Sequence, residues 1–352
     1  MDTKTLFKEE IDEITRKLQK ILIFFSGKRV LVTGATGMIG TYLIDVFMNA
    51  NKQFSLNICV VALARNCSKA KEKLADYLED RNLELVIQDV TESFRHKDIG
   101  NVDYVIHAAS NTHPKEYSAD PVGTIESNIL GMHNIYEYIK NNHLGSKVVC
   151  LSSVEIYGMR GSEQAFSEKD YGYIDCNTLR AGYSESKRLC EAMAQAYYTQ
   201  YGIYSVIVRL SRIYGANMEK DDSKVMSQFF RKAIMGEDIV LKSKGGQLFS
   251  YTYISDAVAA IIHIMVKGKN GEAYNVAGAI ENMSLKKIAE YIAELSGVDV
   301  KYEIPELMET AGYSTAVNAI LDTTKIEREI GWHPEYNLKT GIKKALRILE
   351  EL

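Results

Sequence analysis

Arg29-Val-Leu-Val-Thr33 leads straight into Gly34-Ala-Thr-Gly37-Met-Ile-Gly40, and the reading of these twelve residues decides the fold. A short apolar, β-branched run ahead of a glycine cluster reads as a buried strand, and the apolar pattern continuing to about Met48 reads as a helix. In such a strand–turn–helix unit Gly34 permits the tight turn, and Gly37 lets backbone N–H groups approach a pyrophosphate. Gly40 lets the helix pack close to the strand. The pyrophosphate then falls at the positive end of the helix, with Thr36, Met38 and Ile39 in the same turn.

The alternation continues outward. Strands are expected at 57–64, 83–88, 104–107, 147–152 and 205–210, with helices at 68–79, 121–141 and 181–201. Near-continuous apolar strands alternating with helices indicate an α/β fold, a Rossmann-type doubly wound parallel sheet. After Gly215 the rhythm changes to helices at 225–235, 255–266, 285–295 and 338–350 separated by short strands. This reads as a smaller C-terminal mixed α/β substrate lobe. Upstream, Leu6, Ile11, Ile14, Leu18, Leu22 and Phe25 recur at helical spacing, so 3–25 is expected as one amphipathic helix. Its stripe covers either its own domain or a second subunit. The expected organisation is this helix at 1–26, a dinucleotide-binding domain at 27–210 joined by part of 250–275, and a mainly substrate-binding lobe at 211–352.

The 352 residues carry 42 basic and 46 acidic side chains, a net charge of −4. That balance offers no bulk attraction for nucleic acid or an anionic membrane, so any phosphate site must be built locally. The five cysteines show no metal-binding spacing, so no metal is expected, and Cys59 and Cys150 lie in apolar runs as small core residues. A reducing cytoplasm suits this usage. The charged N-terminus is unlike a signal peptide, and no apolar run approaches the roughly 20 residues of a membrane span. A soluble cytoplasmic protein is expected.

Further strand ends extend the dinucleotide reading. The second strand closes on Leu63-Ala64-Arg65-Asn66. An NAD site of this architecture places a carboxylate there for the ribose hydroxyls, whereas an arginine accommodates a 2′-phosphate. Arg65 therefore tilts the choice between NAD and NADP toward NADP. Asp89 and Val90, after the third strand, are placed to meet the adenine. Ala108 and Ala109, after the fourth, are small enough for the cofactor to pass.

Tyr183-Ser-Glu-Ser-Lys187 sets a tyrosine and a lysine one helical turn apart on one face. An ammonium beside a phenol favours the phenolate, which then accepts a carbinol proton while hydride leaves for the nicotinamide. The strand at 147–152 runs into Ser152-Ser153-Val154-Glu155-Ile156-Tyr157-Gly158. A hydroxyl at that strand end can hydrogen-bond the same substrate oxygen.

With TGATGMIG, HAAS at His107–Ser110, SSVEIYG, YSESK and RLSRIYG at Arg209–Gly215, the chain resembles the extended short-chain dehydrogenase/reductase family from about Lys28 onward. Within it, the resemblance is to the nucleotide-sugar epimerase/dehydratase group. It implies a catalytic set of Ser153, Tyr183 and Lys187, with Tyr183 and Lys187 also touching the cofactor, Ser110 near the sugar, and a homodimer built on helices near 123–141 and 181–201. Glu155 occupies the place where sugar 4,6-dehydratases and UDP-glucuronate decarboxylases carry glutamate, a candidate base for the C5 proton that a C4 ketone acidifies. Dehydratases carry an acidic aspartate just before it, and Val154 cannot replace that acid. Arg180, three residues before Tyr183, is similar to the decarboxylases. Phe249 stands where many members carry an arginine that grips the diphosphate, and Arg212 stands where many carry asparagine, so either Arg212 replaces that contact or the ligand is not a typical nucleotide sugar.

The resemblance implies an enzyme that oxidises a nucleotide sugar at C4 with bound NAD(P), acts at C4 or C5, and returns the hydride. An NADPH-dependent ketoreductase is the alternative that Arg65 favours and Glu155 disfavours. A non-catalytic dinucleotide-binding protein is set against by the intact Ser153, Tyr183 and Lys187.

Overall fold

The computed structural model describes residues 5–112, 119–160, 164–219, 222–279, 283–303 and 318–351. Seven strands form the main sheet: β1 (Arg29–Thr33), β2 (Cys59–Ala64), β3 (Leu83–Ile87), β4 (Tyr104–His107), β5 (Lys147–Ser153), β6 (Tyr204–Leu210) and Ala273–Val276. Counting the last as β11, the order is β11-β6-β5-β4-β1-β2-β3, with every neighbouring pair parallel. Order reverses between β1 and β4, which opens a crevice at their C-terminal ends.

Both faces of this sheet are buried, and successive residues alternate between two cores. Val30, Val32, Val60 and Ala62 join the larger core, whereas Leu31, Val61 and Leu63 join the smaller. The smaller core lies under the helices Pro121–Asn142 and Ala181–Tyr201, through Ile135, Ile139, Cys190 and Ala194. The larger lies under Met38–Phe54 and Ile254–Lys267, through Leu43, Phe47, Val258 and Ile262. Three parallel two-stranded pairs build the outlying lobe: β7 (Arg212–Tyr214) with β10 (Tyr251–Tyr253), β8 (Ile239–Leu241) with β12 (Val300–Tyr302), and β9 (Leu248–Phe249) with β13 (Asn318–Ala319).

The first helix differs from the single 3–25 helix read from the sequence, whose first two residues lie outside the described ones. It runs Thr5–Lys17, turns at Leu18, and finishes as a short turn at Gln19–Leu22 and a tighter one at Ile23–Phe25. The tighter end directs Phe25 into the core against Phe47 and Tyr104, with ring centroids 5.4 and 4.9 Å apart. Its stripe covers its own domain: Glu10 receives the Tyr42 hydroxyl at 2.8 Å and the Tyr253 hydroxyl at 2.6 Å. The second strand starts at Cys59 because Asn51 holds the Ile58 N–H at 2.7 Å, keeping 57–58 out of the ladder. Cys59 is half-buried beside the Arg29–Glu84 ion pair, while Cys150 is in the core. All five cysteines are free, and no helix among the described residues is long and apolar enough to cross a membrane.

Candidate active site

One cleft of about 1070 Å³ opens where the sheet order reverses, between the main sheet and the outlying lobe, and every residue singled out from the sequence as a ligand or catalytic group lines it. The dinucleotide end is shaped by contacts between strand ends. Thr33 Oγ1 pairs with His107 Nδ1 at 2.9 Å and receives the Ala109 N–H at 3.2 Å, drawing β1 and β4 together. His107 is fully buried; burial first, then the Lys187 charge, lowers its pKa to about 3, so the ring is neutral. Gly34 takes φ +67°, and a Cβ there would lie 2.7 Å from the Ala108 carbonyl carbon. A Cβ at Gly40 would lie 2.3 Å from the Gly34 carbonyl oxygen.

These constraints test whether the residues fit a dinucleotide, and they fit. The turn is closed against side chains, and the helix Met38–Phe54 begins at Gly37 with no side chain capping it. Its first-turn N–H groups are therefore available to an anion. At the end of β2, Arg65 is exposed and lines the cleft, and it is followed in the sequence by Asn66 rather than a carboxylate. The Asn66 oxygen is occupied by the Lys69 N–H at 3.0 Å and the Ser68 hydroxyl at 2.8 Å. Asp89 holds its own turn through Thr91, accepting the N–H at 2.9 Å and the hydroxyl at 2.8 Å. Val90, Ala108, Ala109 and Ser110 line the same cleft.

At the centre, the helix Ala181–Tyr201 presents Tyr183 and Lys187, both nearly buried, with the ammonium 5.9 Å from the phenol ring centroid. Lys187 Nζ donates to the Leu151 carbonyl at 2.9 Å, which ties the helix to the end of β5. Ser153 closes that strand and accepts the Glu155 N–H at 3.2 Å, making the turn that carries Glu155 into the cleft. Val154 borders the cleft and is buried in a small apolar cluster with Ile156 and Phe166.

Glu155 is not a free carboxylate. Arg180 Nη2 donates to one of its oxygens at 3.1 Å and Arg212 Nη2 to the other at 3.3 Å. Burial alone would push its carboxyl up; the charges of Arg212 and then Arg180 outweigh that and hold it below the usual carboxylate range. Arg212 also lies flat on the Phe249 ring, its guanidinium carbon 3.6 Å from the centroid, and its Nη1 is buried without a hydrogen-bond partner. Sequence reading missed Lys224, Arg231 and Ser243, which line the lobe side of the cleft. They belong to no spaced motif, and only the folding of the lobe over the sheet brings them there.

A doubly wound sheet with a glycine turn and a Ser, Tyr and Lys set at its crevice defines a dinucleotide-dependent enzyme. Residues 30–277 match the NAD dependent epimerase/dehydratase family, and the chain belongs to that family. It is similar to UDP-glucuronic acid decarboxylase 6 of Arabidopsis thaliana, 29% identical over 325 residues that cover 92% of this chain and 90% of that protein. Its fold is shared with the UDP-glucose 4-epimerase of Thermotoga maritima, at TM-score 0.79 and 21% identity, covering 92% of this chain and 99% of that one. A dTDP-glucose 4,6-dehydratase of Streptomyces venezuelae shares it at TM-score 0.78 and 23% identity, covering 92% and 97%.

Proposed function

We propose that this enzyme oxidises a nucleotide-linked hexuronate at C4 and releases its C6 carboxyl group as carbon dioxide. The observation that carries this reading is the pair Arg180 and Arg212 converging on Glu155 beside Ser153. Two guanidinium charges against one carboxylate leave a net cation where the C5–C6 end of a sugar falls when its C4 oxygen meets Ser153 and Tyr183. The naming of the similar plant proteins as UDP-glucuronic acid decarboxylases supports a hexuronate as that ligand.

When bound, the dinucleotide supplies the hydride acceptor at C4. Tyr183, one helical turn from Lys187, takes the C4 hydroxyl proton, and the Ser153 hydroxyl donates to the oxygen as it becomes a carbonyl. The ketone is then β to the carboxylate. The C5–C6 bond breaks, its electron pair moves toward the C4 oxygen that Tyr183 and Ser153 hold, and carbon dioxide leaves. A solvent proton adds at C5, and Tyr183 returns its proton as C4 is reduced.

In this reading Arg180 holds the substrate carboxylate, and the open Nη1 of Arg212 takes a diphosphate oxygen. Glu155 keeps both guanidiniums in place. Its depressed pKa makes it a poor C5 base, and the apolar burial of Val154 leaves no acid to expel a C6 hydroxyl, which speaks against dehydration. Arg65 favours NADP at the other end of the cleft. Val122, Ile125 and Leu189 are exposed on the two helices that would form a homodimer. Release of carbon dioxide from UDP-glucuronate by the dinucleotide-loaded protein tests the reaction; return of the substrate intact, or of its C4 epimer, refutes it.

A further inference from the structure

Beside the cleft lies a buried ion pair that the chemistry above does not use. Arg209, on β6, is 2% exposed, and it meets Glu191 with Nη2 at 2.7 Å on one oxygen and Nε at 3.1 Å on the other. Glu191 sits one helical turn beyond Lys187, and it also receives the Ser152 hydroxyl at 2.5 Å. From its other side Arg209 donates through Nη1 to the Tyr157 hydroxyl at 2.9 Å and to the Glu168 carbonyl at 2.8 Å. Tyr157 in turn donates to Asn275 at 2.6 Å.

Ser152 and Tyr157 bracket Ser153 and Glu155 in the sequence. The pair thus grips both ends of the segment that carries them: Ser152 through Glu191, and Tyr157 through Arg209. Glu191 belongs to the helix that carries Tyr183 and Lys187. Arg188 adds a parallel tie, donating to the Ile156 carbonyl at 2.7 Å. We infer that Arg209 and Glu191 are positioning residues, which set the strand-end segment bearing Ser153 and Glu155 at its working distance from Tyr183 and Lys187.

A buried ion pair is a weak source of net stability, since apolar side chains of like volume often serve as well. What it supplies that they lack is direction. A two-pronged guanidinium–carboxylate contact, shared with a hydroxyl on each side, fixes register more closely than packing does. Hydride transfer needs that closeness, because a misplacement of about 1 Å can cost about 10²-fold in rate.

The inference rests on Ser153, Tyr183 and Lys187 acting as proposed. The test compares dinucleotide-loaded Glu191→Gln and the apolar pair Arg209→Met/Glu191→Leu with the unaltered protein, and uses Tyr183→Phe as control. With UDP-glucuronate, the expected result is a kcat lower by about 10²-fold with KM and dinucleotide affinity little changed; the unfolding midpoint falls in Glu191→Gln, which strands the Arg209 charge, and stays near the unaltered value in the apolar pair. The isotope effect on kcat with C4-deuterated substrate should rise, as it does when hydride transfer alone is slowed. If kcat stays within about twofold in both variants while Tyr183→Phe is inactive, the positioning role is overturned and the catalytic set stands. If kcat, dinucleotide affinity and midpoint fall together in both, the pair is only structural. An active Tyr183→Phe overturns the catalytic set and the positioning role with it.

Discussion

Arg212 lies on the ring of Phe249, guanidinium carbon to centroid 3.6 Å, so a cation from β7 stands over an aromatic ring on β9. Arg212→Ala should raise the half-saturating concentration of UDP-glucuronate by roughly 10-fold or more with kcat changed far less, as loss of a uniform binding contact does. Affinity for UDP alone separates two duties. A matching loss for UDP places Arg212 on the diphosphate, whereas unchanged UDP affinity places it on the sugar carboxylate. The exchange Arg212→Asn with Phe249→Arg should recover part of the UDP affinity.

Tyr183→Phe removes the proposed acid–base hydroxyl and keeps the ring that lines the cleft. The rate should fall by roughly 10²–10⁴-fold while the dinucleotide still binds. Titration calorimetry with the cofactor and turnover assays read the two effects separately, and full activity in this variant would remove the proposed chemistry.

Arg65 is the exposed cation at the end of β2. Arg65→Ala should weaken NADP by roughly 10- to 100-fold, the worth of a charge-assisted hydrogen bond. NAD, which lacks the 2′-phosphate, should be nearly unaffected. Equal effects on the two cofactors would make Arg65 a surface residue.

Glu10 links the first helix to the core, and its carboxyl is raised above the usual range by burial, which outweighs the Tyr253 and Tyr42 hydrogen bonds and the Lys344 charge. Between the ordinary value of 4.5 and that raised value the folded state binds more protons than the unfolded. Its contribution to stability is therefore complete below the ordinary value and lost as pH rises through the raised one. Glu10→Gln lacks this titration. Its unfolding midpoint relative to the unaltered protein should climb as pH rises through the window, and a pH-independent difference would contradict the assignment.

Leu189 is 45% exposed on the helix Ala181–Tyr201, and Ile125 sits against Gly182 at that helix's start. A homodimer through this face would bury them. Leu189→Glu should shift the protein from dimer to monomer in sedimentation; a monomer before substitution would dismiss the interface.

Much of this was legible because strands and turns announce themselves locally. β1 and its glycine turn, β4, and the helix Ala181–Tyr201 lie where apolar runs and spacing put them. Boundaries shifted where a side chain competed for the backbone, as Asn51 does at Ile58. The pairing of Glu155 with Arg180 and Arg212 was not legible, because the partners lie 25 and 57 residues away and meet only when β7 and the helix start converge. A glutamate read as a base is thereby held as an ion-paired anion. Arg209 and Glu191 were hidden for the same reason: nothing in their spacing shows that one guanidinium reaches both Glu191 and Tyr157.

Turnover of UDP-glucuronate in heavy water, with product and recovered substrate read by NMR, tests the proposed chemistry most directly. Decarboxylation of a C4 ketone breaks the C5–C6 bond and leaves the original C5 hydrogen untouched. The UDP-pentose formed should therefore carry one solvent deuterium at C5 beside that hydrogen, and recovered UDP-glucuronate should carry none. Deuterium at C5 of a hexuronate that keeps its carboxyl group would contradict this, and would return Glu155 to the role of C5 base.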